Sequence, residues 1–239
     1  FAKRIAGASP PVSPGLFSCF EKGETEQKWP TLVADRVDSL EQAALFDPSG
    51  FLPPEVQAVL SDPSSLFVDI PADGIGPGVR SSFTAGSRQE YLKLVVTRLR
   101  SRQLGLVSRP RAGGTVFAVS KQNGRLREVW HGRAVSRCAR QPPKPPCLAG
   151  PSAFKSLATT TDKPFRLSKR DGKCLFDQEL LPACLQPYMA RPAVSRDELI
   201  HVGMSDDELR SFAEEGCDIT ASFLYPVSRV WCMGFGWSS

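Results

Sequence analysis

One stretch constrains the fold more than any other: "GGTVFAVSKQNGRLREVWHG", Gly113 to Gly132. Val116 to Val119 is a β-prone run, Asn123-Gly124 supplies the positive-φ backbone that tight turns need, and Leu126 to Trp130 is a second β-prone run. The spacing predicts a β-hairpin, with Lys121, Arg125 and Arg127 at its tip and on its returning strand. The cluster Pro142 to Pro146 follows, and its fixed φ angles predict an extended exit that aims the hairpin in one direction.

The clearest helix lies just before the hairpin. In "SRQEYLKLVVTRLRSRQLG", Ser87 is a cap, Glu90 stands at the third helical position and Gly105 is the stop signal. Tyr91, Leu94, Val95, Leu99 and Leu104 form the expected buried stripe, and Lys93, Arg98, Arg100 and Arg102 a basic face. Upstream, "ADRVDSLEQAALF" and "PPEVQAVLSD" read as short helices between Pro- and Gly-rich loops. Downstream, "PSAFKSLATT" reads as a short helix and "KPFRLSKRDGKCLFDQELLP" as a strand running into a helix. Ser195 and Ser205 each cap a helix whose first turn is acidic. The last twenty residues are β-prone up to the turn-forming Gly234 and Gly236.

Charge is unevenly spread. The net charge is only +5, but Arg88 to Arg111 holds seven basic residues against Glu90, and Lys121 to Lys144 holds seven against Glu128. From Asp197 to Asp218 eight acids face Arg210 alone. A basic middle predicts a surface for polyanions, with a solvated charged face as the alternative. No apolar run reaches the length of a membrane helix and no signal peptide is visible, so no membrane partner is expected. The seven cysteines are odd in number and never in a CxxC pair, and there are two histidines, His131 and His201. That pattern predicts free thiols, no disulfide or structural metal, and an intracellular location, nuclear or cytoplasmic. A chain that begins at Phe1 reads as a processed product or a fragment.

Three motifs in this order resemble the fingers and early palm of reverse transcriptases (RNA-directed DNA polymerases), above all the divergent retroelement-derived forms of dinoflagellate algae. "FAVSKQNGRLREVWHGRAVS" is similar to the fingers hairpin of that family. "SKRDGKCLF" is similar to its first palm motif, an Asp five residues before an aromatic. "MGFGWSS" looks like the glycine turn that lies beneath primer and incoming nucleotide. The likeness runs from about Ser87 to Ser239.

The resemblance implies roles. Asp171 would be the catalytic carboxylate and ligand of Mg²⁺, in a mechanism that uses two ions. Lys121 and Arg127 would face the triphosphate of the incoming dNTP, with Phe176 near its sugar and Gly234 allowing close backbone approach. Arg98, Arg100, Arg102 and Arg133 would contact an RNA or DNA template-primer. On the residues alone, "RDG" at Asp171 is also a turn signature, and Gly234 and Gly236 also suit a plain turn.

Three departures bear on activity. His131 stands where the family pattern has Asp, and Lys169, Arg170 and Lys173 crowd Asp171 with positive charge. Nor does any Tyr-x-Asp-Asp-like segment occur before Ser239, so this chain is not expected to polymerise DNA by itself. The sequence therefore predicts an α+β chain in three parts: an irregular, mainly helical region over 1–86, a fingers-like helix, hairpin and Pro-rich exit over 87–150, and a partial palm with a helical insertion over 151–239. Two other readings stay open: a non-catalytic, nucleic-acid-binding relic of a retroelement, and a protein-interaction module built on "PPKPP".

Overall fold

The computed structural model describes residues 29–71, 74–83, 86–121, 123–143 and 174–238. The order of elements is α1 (Pro54–Ser61), α2 (Pro63–Leu66), α3 (Arg88–Arg100), β1 (Leu104–Val107), β2 (Thr115–Ser120), β3 (Leu126–His131) and α4 (Arg133–Cys138). Then come α5 (Leu175–Gln178), α6 (Arg196–His201), α7 (Asp206–Phe212) and β4 (Tyr225–Ser228). This is a mixture of helix and sheet, as expected.

Helix α3 is the central element. Ser87 caps it by accepting a hydrogen bond from the Glu90 amide. Tyr91, Leu94, Val95 and Leu99 are buried, and so are Leu92, Val96 and Arg98, so the helix is covered on more than the expected stripe. Its end differs from the sequence reading. The helix stops at Arg100, Arg102 takes the left-handed conformation at φ +64°, and Gly105 lies inside β1. The Glu214 carboxylate lies over Gly105, where a Cβ would fall 1.9 Å from it and push that side chain aside. Leu104 is accordingly buried on a strand, not on the helix.

The hairpin forms in the predicted place. β2 and β3 pair antiparallel from Thr115↔His131 to Ser120↔Leu126. Its tip closes through the Lys121 amide donating to the Arg125 carbonyl (2.9 Å), with Gly124 at φ +73°. Alternation sends Val116, Ala118, Leu126 and Trp130 into the core. Phe117, Val119 and Val129 are only partly buried, and Arg127 and His131 are exposed. The chain leaving β3 first makes α4, which sequence reading missed; Pro142 and Pro143 follow in irregular backbone.

A second sheet joins β1 to β4, pairing Leu104↔Ser228 through Val107↔Tyr225. Ala190 ties the two sheets together, bridging Gly113 at the start of the hairpin and Val227 on β4. Both Ser195 and Ser205 form complete capping boxes, with Glu198 and Glu208.

The expected helix in "ADRVDSLEQAALF" does not form. A 3-10 turn, Ala34–Arg36, is followed by a bridge from Val37 to Leu126 of the hairpin, and Ala44 sits at φ +54°. Tertiary pairing overrides a weak helical pattern here. Leu32, Val37, Leu60, Leu66 and Phe67 join one hydrophobic core with α3 and Phe235. Among the described residues, the 29–83 segment is therefore packed into the same core as the rest.

Candidate functional site

A cleft of about 690 Å³ opens between the hairpin, the end of α3, α5 and the segment after β4. Lys121 and Arg127 line it from the hairpin, Phe176 and Asp177 from α5, and Trp231 and Met233 from the chain leading into the glycine turn. Residues more than a hundred positions apart thus share one cavity. Asp171 lies outside the described residues, as do its basic neighbours Lys169, Arg170 and Lys173.

The floor of the cleft is a buried ion cluster. Arg98 on α3 and Arg191, in the stretch before α6, both engage the Glu128 carboxylate on β3. Their side chains are 3%, 5% and 6% exposed, so one carboxylate faces two guanidinium groups away from water. Arg98 also donates to the Asp38 carbonyl (2.8 Å). Sequence reading placed Arg98 on an exposed face toward nucleic acid. The structure corrects this, because its neighbours Leu94, Val95 and Leu99 take it into the core with them.

The other arginines of the basic face are engaged by the acidic C-terminal stretch. Arg100 donates to Glu208 (3.0 Å) and to the Gly203 carbonyl (2.9 Å). Arg102 donates to the Ser211 carbonyl (2.9 Å) and lies over the Phe212 ring. At the start of the helix Arg88 grips Glu198 with two bonds of 2.8 and 2.7 Å. Two ion pairs, Arg88–Glu198 and Arg100–Glu208, therefore join the two oppositely charged stretches of sequence. Arg133, at the start of α4, and Arg127 are exposed and hold no ion pair among the described residues.

Lys121 does not stand free. It pairs with Asp38, which also receives Arg125 at 2.9 Å. Hydrogen bonds from Lys121 and then Arg125 hold the Asp38 carboxyl below its usual range. Asp177 behaves oppositely. Burial pushes its pKa up, against the pull of Arg98 and Lys121, while Gln103 donates to its carboxylate at 2.9 Å.

Gly234 has a role other than nucleotide approach. At φ +111°, a Cβ there would come within 2.2 Å of the Trp130 carbonyl, so the missing side chain lets the turn pack on β3. Gly236 is less constrained, since a Cβ would meet Ser136 at an ordinary 3.7 Å.

Sequence reasoning missed four features. Asp38 comes from a region with no visible motif. Asp177 directly follows Phe176, and that adjacency was its only signal. Glu128 and Arg191 pair across a gap of sequence that carries no local trace. On the outer side of the hairpin, Trp29 packs on Phe117 with ring centroids 4.5 Å apart, and His131 lies 6.2 Å from the same ring. Outward alternation from Val116 was enough to mark Phe117 as surface-facing.

Among the described residues no group of three or more His, Cys, Asp or Glu is arranged to hold a metal ion, and no helix is long and apolar enough to cross a membrane. Cys138, Cys174, Cys184, Cys217 and Cys232 are free thiols. No protein-family model, no curated protein and no solved structure matches the chain.

Proposed function

We propose that the cleft binds phosphate groups and a nucleic-acid strand, and that the chain is the fingers and early palm of a reverse-transcriptase-like polymerase. The observation that carries this reading is the convergence of Lys121, Arg127, Phe176 and Met233 on one cavity, because these residues come from the three motifs that resemble that family. A planar guanidinium such as Arg127 grips two phosphate oxygens at once, and Lys121, held beside it by Asp38, adds a point charge. Charge stabilisation of this kind is most of what phosphoryl transfer asks of a protein.

Mg²⁺ enters this reading through Asp171, by resemblance. Of the carboxylates that line the cleft, Asp38 and Glu128 are taken up by cations, and Asp177 is the one that no ion pair holds among the described residues. Bound there, Mg²⁺ would neutralise charge on a triphosphate and orient the attacking hydroxyl. The protein residues would position the phosphates and keep the cavity partly closed to water.

A second reading, a non-catalytic nucleic-acid binder, is favoured by the outer face of the hairpin. Trp29 is 47% exposed and packs at a tilt on Phe117, whose other edge meets His131, and Arg127 and Arg133, which hold no ion pair among the described residues, lie close to His131 in sequence. Exposed aromatics beside cations form platforms on which single-stranded bases stack.

One experiment separates the two. Binding of a labelled single-stranded oligonucleotide is measured across salt concentrations, and binding of dNTP with and without Mg²⁺. The polymerase reading expects Mg²⁺-dependent dNTP binding that Asp171→Asn abolishes. The binder reading expects oligonucleotide binding that weakens with salt, loses about one ion pair from its salt slope in Arg127→Ala, and ignores Mg²⁺. Absence of both kinds of binding overturns both.

A further inference from the structure

The N-terminal strap before α1 clasps the hairpin tip. Arg36 donates to the Gly124 carbonyl (2.8 Å), and Arg125 donates to the carbonyls of Asp35 (2.9 Å) and Val37 (3.3 Å). In the middle of these contacts, the two oxygens of Asp38 are divided between Lys121 and Arg125. Asp38 is also fixed from behind, where its own carbonyl accepts from the buried Arg98. Its position is thus built into the fold and does not depend on a mobile surface side chain.

These three side chains are accessible even though they are paired. Lys121 is 32% exposed, Arg125 39% and Asp38 33%, and Lys121 and Asp38 both line the cleft. A phosphate that approaches Lys121 meets a carboxylate already bound to it. The anion must either displace that carboxylate or sit beside a like charge, and both weaken its hold.

We infer that Asp38 is a built-in competitor for phosphate, the residue that sets how strongly the hairpin cations hold an anionic ligand. The inference rests on the reading that the cleft takes phosphate groups. It adds that the chain tempers that affinity from its own N-terminal strap. Without ligand, Asp38 balances Lys121 and Arg125 and holds the tip closed. With a polyphosphate bound, Lys121 and Arg125 exchange one anionic partner for another. Asp38 acts through Lys121 and Arg125 and is a positioning residue.

The test is titration of the full chain with inorganic tripolyphosphate by calorimetry at several salt concentrations. Asp38→Asn and Asp38→Ser both remove the charge and keep one oxygen, which can accept from Lys121 or from Arg125. The expected result is roughly tenfold tighter binding, with a steeper salt dependence because two cations are released to the ligand. Asp38→Glu restores the carboxylate and binds like the parent chain. Glu41→Gln, an exposed acid on the same strap, stays within about twofold, which excludes a mere change in net charge. Equal or weaker binding by both neutral variants, with the parent chain binding normally, overturns the inference alone. Absence of binding by every variant overturns the phosphate reading and the inference together.

Discussion

The Arg98 guanidinium on α3 lies 3.3 Å from the Glu128 carboxylate on β3, and the two side chains are 3% and 6% exposed. With Arg191 on the other side of the same carboxylate, the pair locks the hairpin to the central helix. Burying three charges is costly, so this cluster specifies a geometry more than it adds net stability. What it fixes is the strand that carries Arg127 into the cleft.

Glu128→Gln should therefore be strongly destabilising, by about 3–5 kcal/mol, because two guanidinium groups lose their counter-ion in the interior. Urea unfolding measures this. Replacing Arg98, Glu128 and Arg191 together with apolar residues of similar size should cost much less than Glu128→Gln alone.

Gly234→Ala brings a Cβ against the Trp130 carbonyl at a left-handed backbone position. The expected loss is on the order of 1–3 kcal/mol, from backbone strain and displacement of the turn from β3. Gly236→Ala, which meets only an ordinary contact, should change the melting temperature far less.

Asp177 has a pKa raised by burial. The folded state holds this proton more tightly than the unfolded chain, so the stabilising contribution is fully present below about pH 4 and is lost as pH rises through the folded pKa. Asp177→Asn keeps an oxygen that accepts from Gln103 and has no such loss. The stability of the Asn variant relative to the parent should grow as pH is raised above about 4, then level off once Asp177 is ionised. A difference that shrinks as pH rises would show that Asp177 is favoured as a carboxylate.

Arg100→Ala should matter little. Its partner Glu208 is on the surface, the two side chains are 50% and 35% exposed, and such pairs contribute less than about 1 kcal/mol. Thermal melts at low and high salt should show a small loss that salt reduces further.

The sequence by itself determined the local elements. Ser87, Ser195 and Ser205 cap their helices, Asn123-Gly124 closes the hairpin, and alternation around Val116 sorts inward from outward side chains, because caps, turns and faces depend on neighbours a few positions away. It also brought Lys121, Arg127 and Phe176 forward as candidates for one site. Only the tertiary structure decided which charges stay available. Arg98 goes inside, Arg100 and Arg102 are spent on α7 and the loop before it, Lys121 is answered by Asp38, and Gly234 makes room for the Trp130 carbonyl. These outcomes were not legible because a charge is neutralised by whatever lies within a few ångströms in space. For Arg98 that partner is 30 residues away, for Lys121 it is 83, and for Arg100 it is 108.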